Sequence, residues 1–485
     1  MNKAHYERLT PMDTTFLVLE KPWSPLHVSA TLIYEAGPLE KAGGGIDIDA
    51  YRDATEAVLH LIPRYRQKLQ WIPVAGHPVW IDDPEFNLEY HIRHTSLPRP
   101  GTDEQLKKLS ARIMAQPLDH SKPLWEAWVV EGLDDGRFAV ISKIHHCMVD
   151  GMAGSDLAQI LHSTDPGERR RGKATAWVPR SAPTPAQLLK DEALRYVALP
   201  GRAARGIRAA ANELMELRQE FGTRVRSITQ MMSSMRDELS KTPLNEPIGP
   251  HRRFDWREMP LSDLKEVRRA LGCTINDLVL ATVTGAVRDF LEKRGHELDG
   301  LDFRIAAPVS IRSTDDSQMG NRVSQWFVRA PIDEPDVMKR VEKIRAATEE
   351  LKASKQALDA DLIMNVVEWT PTVLLSLASR AASASAPYNL MVTNVPGPQQ
   401  ELYLLGAKLQ ALYSQVPIAD STALGVALVS YAGKMCWGFN ADFESVPDLE
   451  SFVNSIESSF AEIARAAGVN AGKPALPGDS KTEEN

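Results

Sequence analysis

The run Phe138-Ala139-Val140-Ile141-Ser142-Lys143-Ile144 alternates as a strand does, and it leads straight into His145-His146-Cys147-Met148-Val149-Asp150-Gly151. A strand sends successive side chains to opposite faces, so His145 and His146 can serve one site only if the strand has already ended there. One imidazole is then the working group and the other its support. Adjacent residues do not converge as ligands spaced along one helix face would, so no metal is expected at His145, His146 and Cys147. Asp150 and Gly151 suit a tight turn, the glycine taking backbone angles that other residues resist. Taken alone, such a doublet reads more simply as two satisfied histidines packed at a strand end.

At 485 residues the chain exceeds one ordinary core, and two domains are expected. Hydrophobic residues at 43% and charged residues at 25% are those of a soluble globular protein. Three cysteines, Cys147, Cys273 and Cys436, offer no disulfide framework and indicate a reducing compartment. The first residues lack the apolar stretch of a signal peptide, and the richest apolar segment, Thr370 to Ala386, is broken by Pro371, Arg380 and several serines. A cytoplasmic location is expected. The net charge of -8 argues against general nucleic-acid binding.

Charge is nevertheless uneven. The stretch from Glu168 to Arg236 has a surplus of about +8 and opens with a Pro-, Ser- and Thr-rich linker, Trp177 to Pro185. Beyond it the pattern predicts two helices split near Pro200-Gly201, with an arginine-rich face that suits either an anionic lipid surface or a phosphate-bearing ligand. A helical hairpin packed on its own protein explains the same pattern. On either side, strands such as Val28 to Tyr34 and Ala127 to Glu131 alternate with helices around Ala50 to Ile62 and Glu104 to Ala115, and the helix Asn276 to Lys293 precedes a strand at Phe303 to Val309. Alternation of this kind predicts α/β sandwiches. The expected division is a first lobe over 1–165, a basic helical linker over 166–249, a second lobe over 250–468 and a disordered tail over 469–485.

HHxxxDG is the signature of the acyl-CoA-dependent acyltransferase superfamily, and the chain resembles its bacterial wax ester synthase/diacylglycerol acyltransferase branch. The likeness rests on Leu9-Thr10-Pro11-Met12-Asp13, Pro25-Leu26-His27-Val28, Pro123-Leu124-Trp125, Asn276-Asp277-Leu278-Val279, Pro308-Val309-Ser310-Ile311-Arg312, Gly320-Asn321 and Thr393-Asn394-Val395-Pro396-Gly397-Pro398. Each string is short, but their order and wide separation carry weight. The resemblance implies two chloramphenicol-acetyltransferase-like lobes joined by the linker, with the histidine motif at the lobe interface and a tunnel reaching it. It further implies transfer of a long acyl chain from acyl-CoA to diacylglycerol or a fatty alcohol, with acyl-CoA as substrate and no other cofactor. Peripheral contact with a membrane or lipid inclusion is expected; the oligomeric state is not legible.

Such a transfer needs a base for the hydroxyl proton, a donor for the tetrahedral oxyanion and a dry cavity. The resemblance makes His146 the base and His145 its support, with no acyl-enzyme, and makes Asp150 a structural residue paired with an arginine, for which Arg312 is the candidate. Cys147 is the rival nucleophile, though a cysteine in such a strand usually behaves as a small apolar residue. Asn276 is a candidate site residue, while Thr274 and Asp277 fit a capping box, so Asp277 supports. Thr393 and Asn394 are candidates for the oxyanion or substrate contact, and Trp125 and Gly151 have structural roles. Two other readings share these residues: a peptide-synthetase-type condensation enzyme using carrier-bound substrates, and a catalytically silent lipid-surface protein.

Overall fold

The computed structural model describes residues 5–148, 160–168, 175–195, 239–310, 323–353, 388–419 and 421–470. Asp150, Gly151 and Arg312 lie outside the described residues, as do most of the basic segment and the tail.

In chain order the first part contains β1 (Glu7–Arg8), α1 (Pro11–Leu19), β2 (His27–Glu35), α2 (Ile48–Val58), β3 (Gln67–Trp71), β4 (Pro78–Asp82), α3 (Leu88–His91), β5 (Ile92–Ser96), α4 (Asp103–Ala115), β6 (Trp125–Glu131) and β7 (Arg137–His145). The second contains β8 (Arg252–Pro260), α5 (Leu261–Leu271), α6 (Ile275–Lys293), β9 (Phe303–Ser310), β10 (Val323–Ala330), α7 (Val337–Ala353) and β11 (Leu390–Val395). It continues with β12 (Tyr403–Leu404), β13 (Ala407–Gln415), β14 (Leu424–Tyr431), β15 (Lys434–Asp442) and α8 (Leu449–Ala466). Two mixed six-stranded sheets result, ordered β12-β13-β2-β7-β6-β5 and β10-β9-β11-β14-β15-β8, with a small sheet β1-β4-β3 beside the first. Each large sheet packs its own core, and the molecule is a two-lobed α/β sandwich.

Strand β7 lies in the middle of its sheet, antiparallel to β2 on one side and β6 on the other. That position explains its nearly unbroken apolar run, with Phe138, Ala139, Val140 and Ile141 all buried. Lys143 is the exception. Its buried ammonium donates to the carbonyls of Ile113 and Gln116, at 3.1 and 2.9 Å, at the C-terminal end of α4 where the helix dipole favours a cation. The pairing locks α4 to β7 two residues before the histidine doublet.

The lobe boundaries read from the sequence need one correction. Residues 403–415, expected in the second lobe, leave it: β13 pairs antiparallel with β2, and β12 extends the same edge of the first sheet. The alternating burial of β13 suits a strand that must cover the open edge of β2. Returning through β14, the chain draws the lobes together. Trp256 of β8 stacks on Tyr413 of β13 with ring centroids 4.6 Å apart, and the Tyr413 hydroxyl donates to Glu258 at 2.7 Å. Lys107 of α4 pairs with Asp255 of β8 at 2.6 Å, and Asn440 of β15 donates to the carbonyl of Val416 at 2.8 Å.

The described start of the linker also belongs with the first lobe. Residues 185–195 are helical, and Leu188 is buried in a cluster with Val79 and Ile81 of the small sheet and Ile72 just beyond β3. Arg180 holds Asp82 through two guanidinium hydrogen bonds, and the Tyr6 hydroxyl donates to Asp191. No single helix among the described residues is long and apolar enough to cross a membrane. Helix α6 spends its apolar side chains in the core of the second lobe.

Candidate active site

The site is assembled from two distant pieces of chain, α1 and the end of β7. Thr10 caps α1 by accepting the N–H of Asp13, Pro11 occupies its first turn, and Glu20 closes its C-terminal end. Strand β7 stops at His145 and a tight helical turn, residues 146–148, begins at His146. The change of backbone sends the two rings different ways. The ring of His146 stacks on Phe16 of α1, centroids 3.9 Å apart, and the backbone N–H of His146 donates to the carbonyl of Leu26 at 2.9 Å. His145 turns inward toward Glu20.

Glu20 gathers three imidazoles. Its carboxylate lies 2.8 Å from Nε2 of His120, a full hydrogen bond, and 3.4 Å from Nε2 of both His145 and His27, contacts too long for strong hydrogen bonds. Burial alone would raise its pKa; the imidazoles together outweigh burial and hold the carboxyl well below the usual carboxylate range. On the far side of the His145 ring, Nδ1 accepts the backbone N–H of Cys147 at 3.1 Å, with the Cys147 sulfur at 2.9 Å. An Nδ1 that accepts a hydrogen bond leaves the ring's own proton on Nε2, facing Glu20. His145 therefore links the carboxylate to the backbone of the turn that carries His146.

Glu20, His120 and His145 bring their ligand atoms within 4.8 Å of one another, a grouping that invites a metal reading. The hydrogen bond from Cys147 argues otherwise, because a metal on Nε2 would require Nδ1 to carry the proton and donate. The set is a carboxylate-imidazole network. If it holds the turn, Glu20→Gln lowers stability by about 2 kcal/mol, and the pKa of His120, raised by its hydrogen bond to Glu20, drops back toward its ordinary value. Chemical denaturation and NMR titration of His120 check this; an unaltered midpoint and titration would remove Glu20 from the role.

His146 is half-buried, its Nδ1 has no hydrogen-bond partner among the described residues, and burial pushes its pKa down to about 4. At neutral pH it is an uncharged imidazole able to accept a proton. The neighbouring Cys147 is buried, and burial pushes its thiol well above the ordinary value, so the thiolate needed for nucleophilic attack is disfavoured.

His27, His77, His91 and His146 are all held near a pKa of about 4, chiefly by burial, against 6.5 for a free histidine. The unfolded chain thus binds protons on these groups before the folded one does, and their neutral burial is tolerated above about pH 6.5. Stability is expected to fall as pH drops from 6.5 toward 4, with the raised pKa of His120 opposing in part. Thermal melts across that window test the sign, and a melting temperature that held or rose on acidification would refute it.

The remaining sequence candidates are spread over the second lobe and β6. Thr274 and Asp277 form both halves of a capping box: the Thr274 hydroxyl accepts the N–H of Asp277 at 3.1 Å, and the Asp277 carboxylate accepts the N–H of Thr274 at 2.9 Å. Asp277 also accepts from the Thr348 hydroxyl of α7 at 2.7 Å, which fully explains a buried carboxylate. Asn276 points elsewhere than Asp277: it is half-buried and makes no side-chain hydrogen bond among the described residues. Thr393 and Asn394 lie half-buried on β11, beside β14 in parallel register. Trp125 starts β6, where its indole N–H donates to the carbonyl of Tyr65 at 2.9 Å and its ring stacks on His91. No described contact joins Asn276, Thr393 or Asn394 to the histidine pair. Glu20 and His120 went unrecognised in the sequence, and His27 was read only as part of a motif. The available signal was Glu20 closing the capped segment that begins Leu9-Thr10-Pro11, seven residues before His27.

Two α/β sandwiches with a histidine pair at the end of a central strand define the fold class shared by acyltransferases and condensation domains. The wax ester synthase/diacylglycerol acyltransferase catalytic domain matches residues 9–279, and the C-terminal domain of the same family matches residues 319–464. A Mycobacterium tuberculosis protein named "Probable diacyglycerol O-acyltransferase tgs1" is 31% identical, over 94% of this chain and 95% of its own length. The structure of a wax ester synthase/diacylglycerol acyltransferase from Marinobacter aquaeolei VT8 is 24% identical with a TM-score of 0.67, covering 95% of this chain and all of that one. The first condensation domain of the CDA synthetase shares the fold at 14% identity and a TM-score of 0.58, over 97% and 98% of the two chains. The chain belongs to the wax ester synthase/diacylglycerol acyltransferase family and is an acyltransferase.

Proposed function

We propose that the protein transfers a long-chain acyl group from acyl-CoA to the hydroxyl of diacylglycerol or a fatty alcohol, with His146 as general base. The observation that carries the reading is the neutral, half-buried imidazole of His146, stacked on Phe16, with its backbone held by the Leu26 carbonyl on a turn that His145 and Glu20 brace. His146 removes the hydroxyl proton as the oxygen attacks the thioester carbonyl. The tetrahedral oxyanion collapses, the carbon-sulfur bond breaks, and the imidazolium returns its proton to the departing thiolate. The acceptor gains an ester and coenzyme A leaves as the free thiol. Asn276 or the hydroxyl of Thr393 supplies the donor for the oxyanion, and Asp150 with Arg312 shapes the turn. Names such as that of the mycobacterial relative favour diacylglycerol as acceptor. The enzyme works in the cytoplasm, peripherally on membrane or lipid inclusions.

Thiol release from palmitoyl-CoA, followed with dioleoylglycerol and with hexadecanol as separate acceptors, tests the reading. Release that requires one of these acceptors and yields the matching ester is expected. No ester from either, with condensation seen only from carrier-bound acyl groups, would move the protein to the condensation class; inertness toward both would leave a silent lipid-surface protein.

A further inference from the structure

Away from the histidines, Arg66 is buried, only 5% exposed, yet it has no ion pair or side-chain hydrogen bond among the described residues, and its Nε is sealed from solvent without a partner. A buried guanidinium with no hydrogen-bonded or ion-paired partner is costly even with the Glu56 charge nearby, and folds keep one mainly where an anion will meet it. The guanidinium lies 5.8 Å from the ring of Phe86 and 5.3 Å from that of Trp177, the two rings meeting edge to face. Together with Glu56, Leu88 and Thr175 these residues line a cleft of about 310 Å³. The size suits a small ligand. Glu56 stands on the same wall, attracting Arg66 without a hydrogen bond to it, and its exposed carboxylate can accept from an exocyclic amine.

A cleft with one cation, two aromatic walls and a carboxylate, and only Leu88 and Ala176 for aliphatic lining, is built for a flat base bearing phosphate rather than for acyl chains. It is also connected to the motif strand. Phe86 stacks on His91 at 5.2 Å, His91 on Trp125 at 4.6 Å, and Trp125 pairs with Ile144, one residue before His145. We infer that this cleft holds the phosphoadenosine end of acyl-CoA, with Arg66 on a phosphate and the adenine against Trp177 and Phe86. The inference rests on acyl-CoA being the donor, as proposed above, and places its nucleotide on the first lobe.

Direct binding separates the two ideas, because it needs no turnover. Adenosine 3′,5′-bisphosphate, measured by calorimetry, is expected to bind the full-length protein, and to bind Arg66→Met and Trp177→Leu about tenfold more weakly. Removing an unpaired buried charge should leave the melting temperature of Arg66→Met equal or higher, whereas an arginine kept for stability would lower it. In turnover, the preference of wild type for palmitoyl-CoA over palmitoyl-pantetheine, which lacks the nucleotide, falls about tenfold in Arg66→Met through KM. Equal nucleotide binding by wild type and both variants overturns the assignment. So does binding of inorganic phosphate as tight as that of the nucleotide, or competition for the site by phosphatidic acid vesicles in its place. If the nucleotide binds as expected while palmitoyl-CoA is never consumed, the cleft stands and the acyltransfer reading falls.

Discussion

His146→Ala is expected to reduce acceptor-dependent thiol release by about 10²- to 10⁴-fold, the range spanned by loss of a general base. The fold should survive, because the ring is only half-buried and its Nδ1 makes no hydrogen bond among the described residues. What is lost is the stack on Phe16, a modest packing contact. The loss should fall on kcat and be alike for dioleoylglycerol and hexadecanol, since both present the same hydroxyl proton. His145→Ala should behave differently, lowering stability as well as rate, because His145 is fully buried and bridges Glu20 to the Cys147 amide. Circular dichroism with steady-state kinetics separates the two. Wild-type rates in a folded His146→Ala protein would exclude this residue as the base.

Gly438→Val is expected to destabilise the protein by about 3 kcal/mol, the upper part of the range for overpacking. Gly438 lies on β15 where β13 crosses toward the first lobe, and a Cβ at this position would lie 2.0 Å from the Ser414 carbonyl oxygen. The obstacle is backbone, which has no rotamer to change. Either β13 lifts off or β15 bends, and both disturb the seam made by Trp256, Tyr413 and Glu258. Urea denaturation reads the effect. An unchanged midpoint would mean that the crossing strand is not what clasps the lobes.

The split between legible and hidden features follows the range of the interactions. The capping box of Thr274 and Asp277, the apolar run of β7 and the termination of that strand at the histidines are short-range, set by residues within a few positions, and periodicity exposes them. The β13 crossover is long-range. Its pattern predicts a strand but holds nothing to say that the partner is β2, nearly four hundred residues earlier in the chain. Glu20 is hidden for the same reason. Ahead of Lys21 and Pro22 it reads as an ordinary helix-end carboxylate until His27, His120 and His145 are folded around it.

By itself, then, the sequence determined the family and with it the class of chemistry, because short strings from Leu9 to Pro398 keep their residue types and order even though the histidine doublet alone does not decide it. Only the tertiary structure decided which imidazole is free. Burial against Phe16 keeps His146 neutral, with no hydrogen bond to its Nδ1 among the described residues, while a carboxylate 125 residues away lies against His145. Desolvation and hydrogen bonding act through space, and the chain order does not carry them.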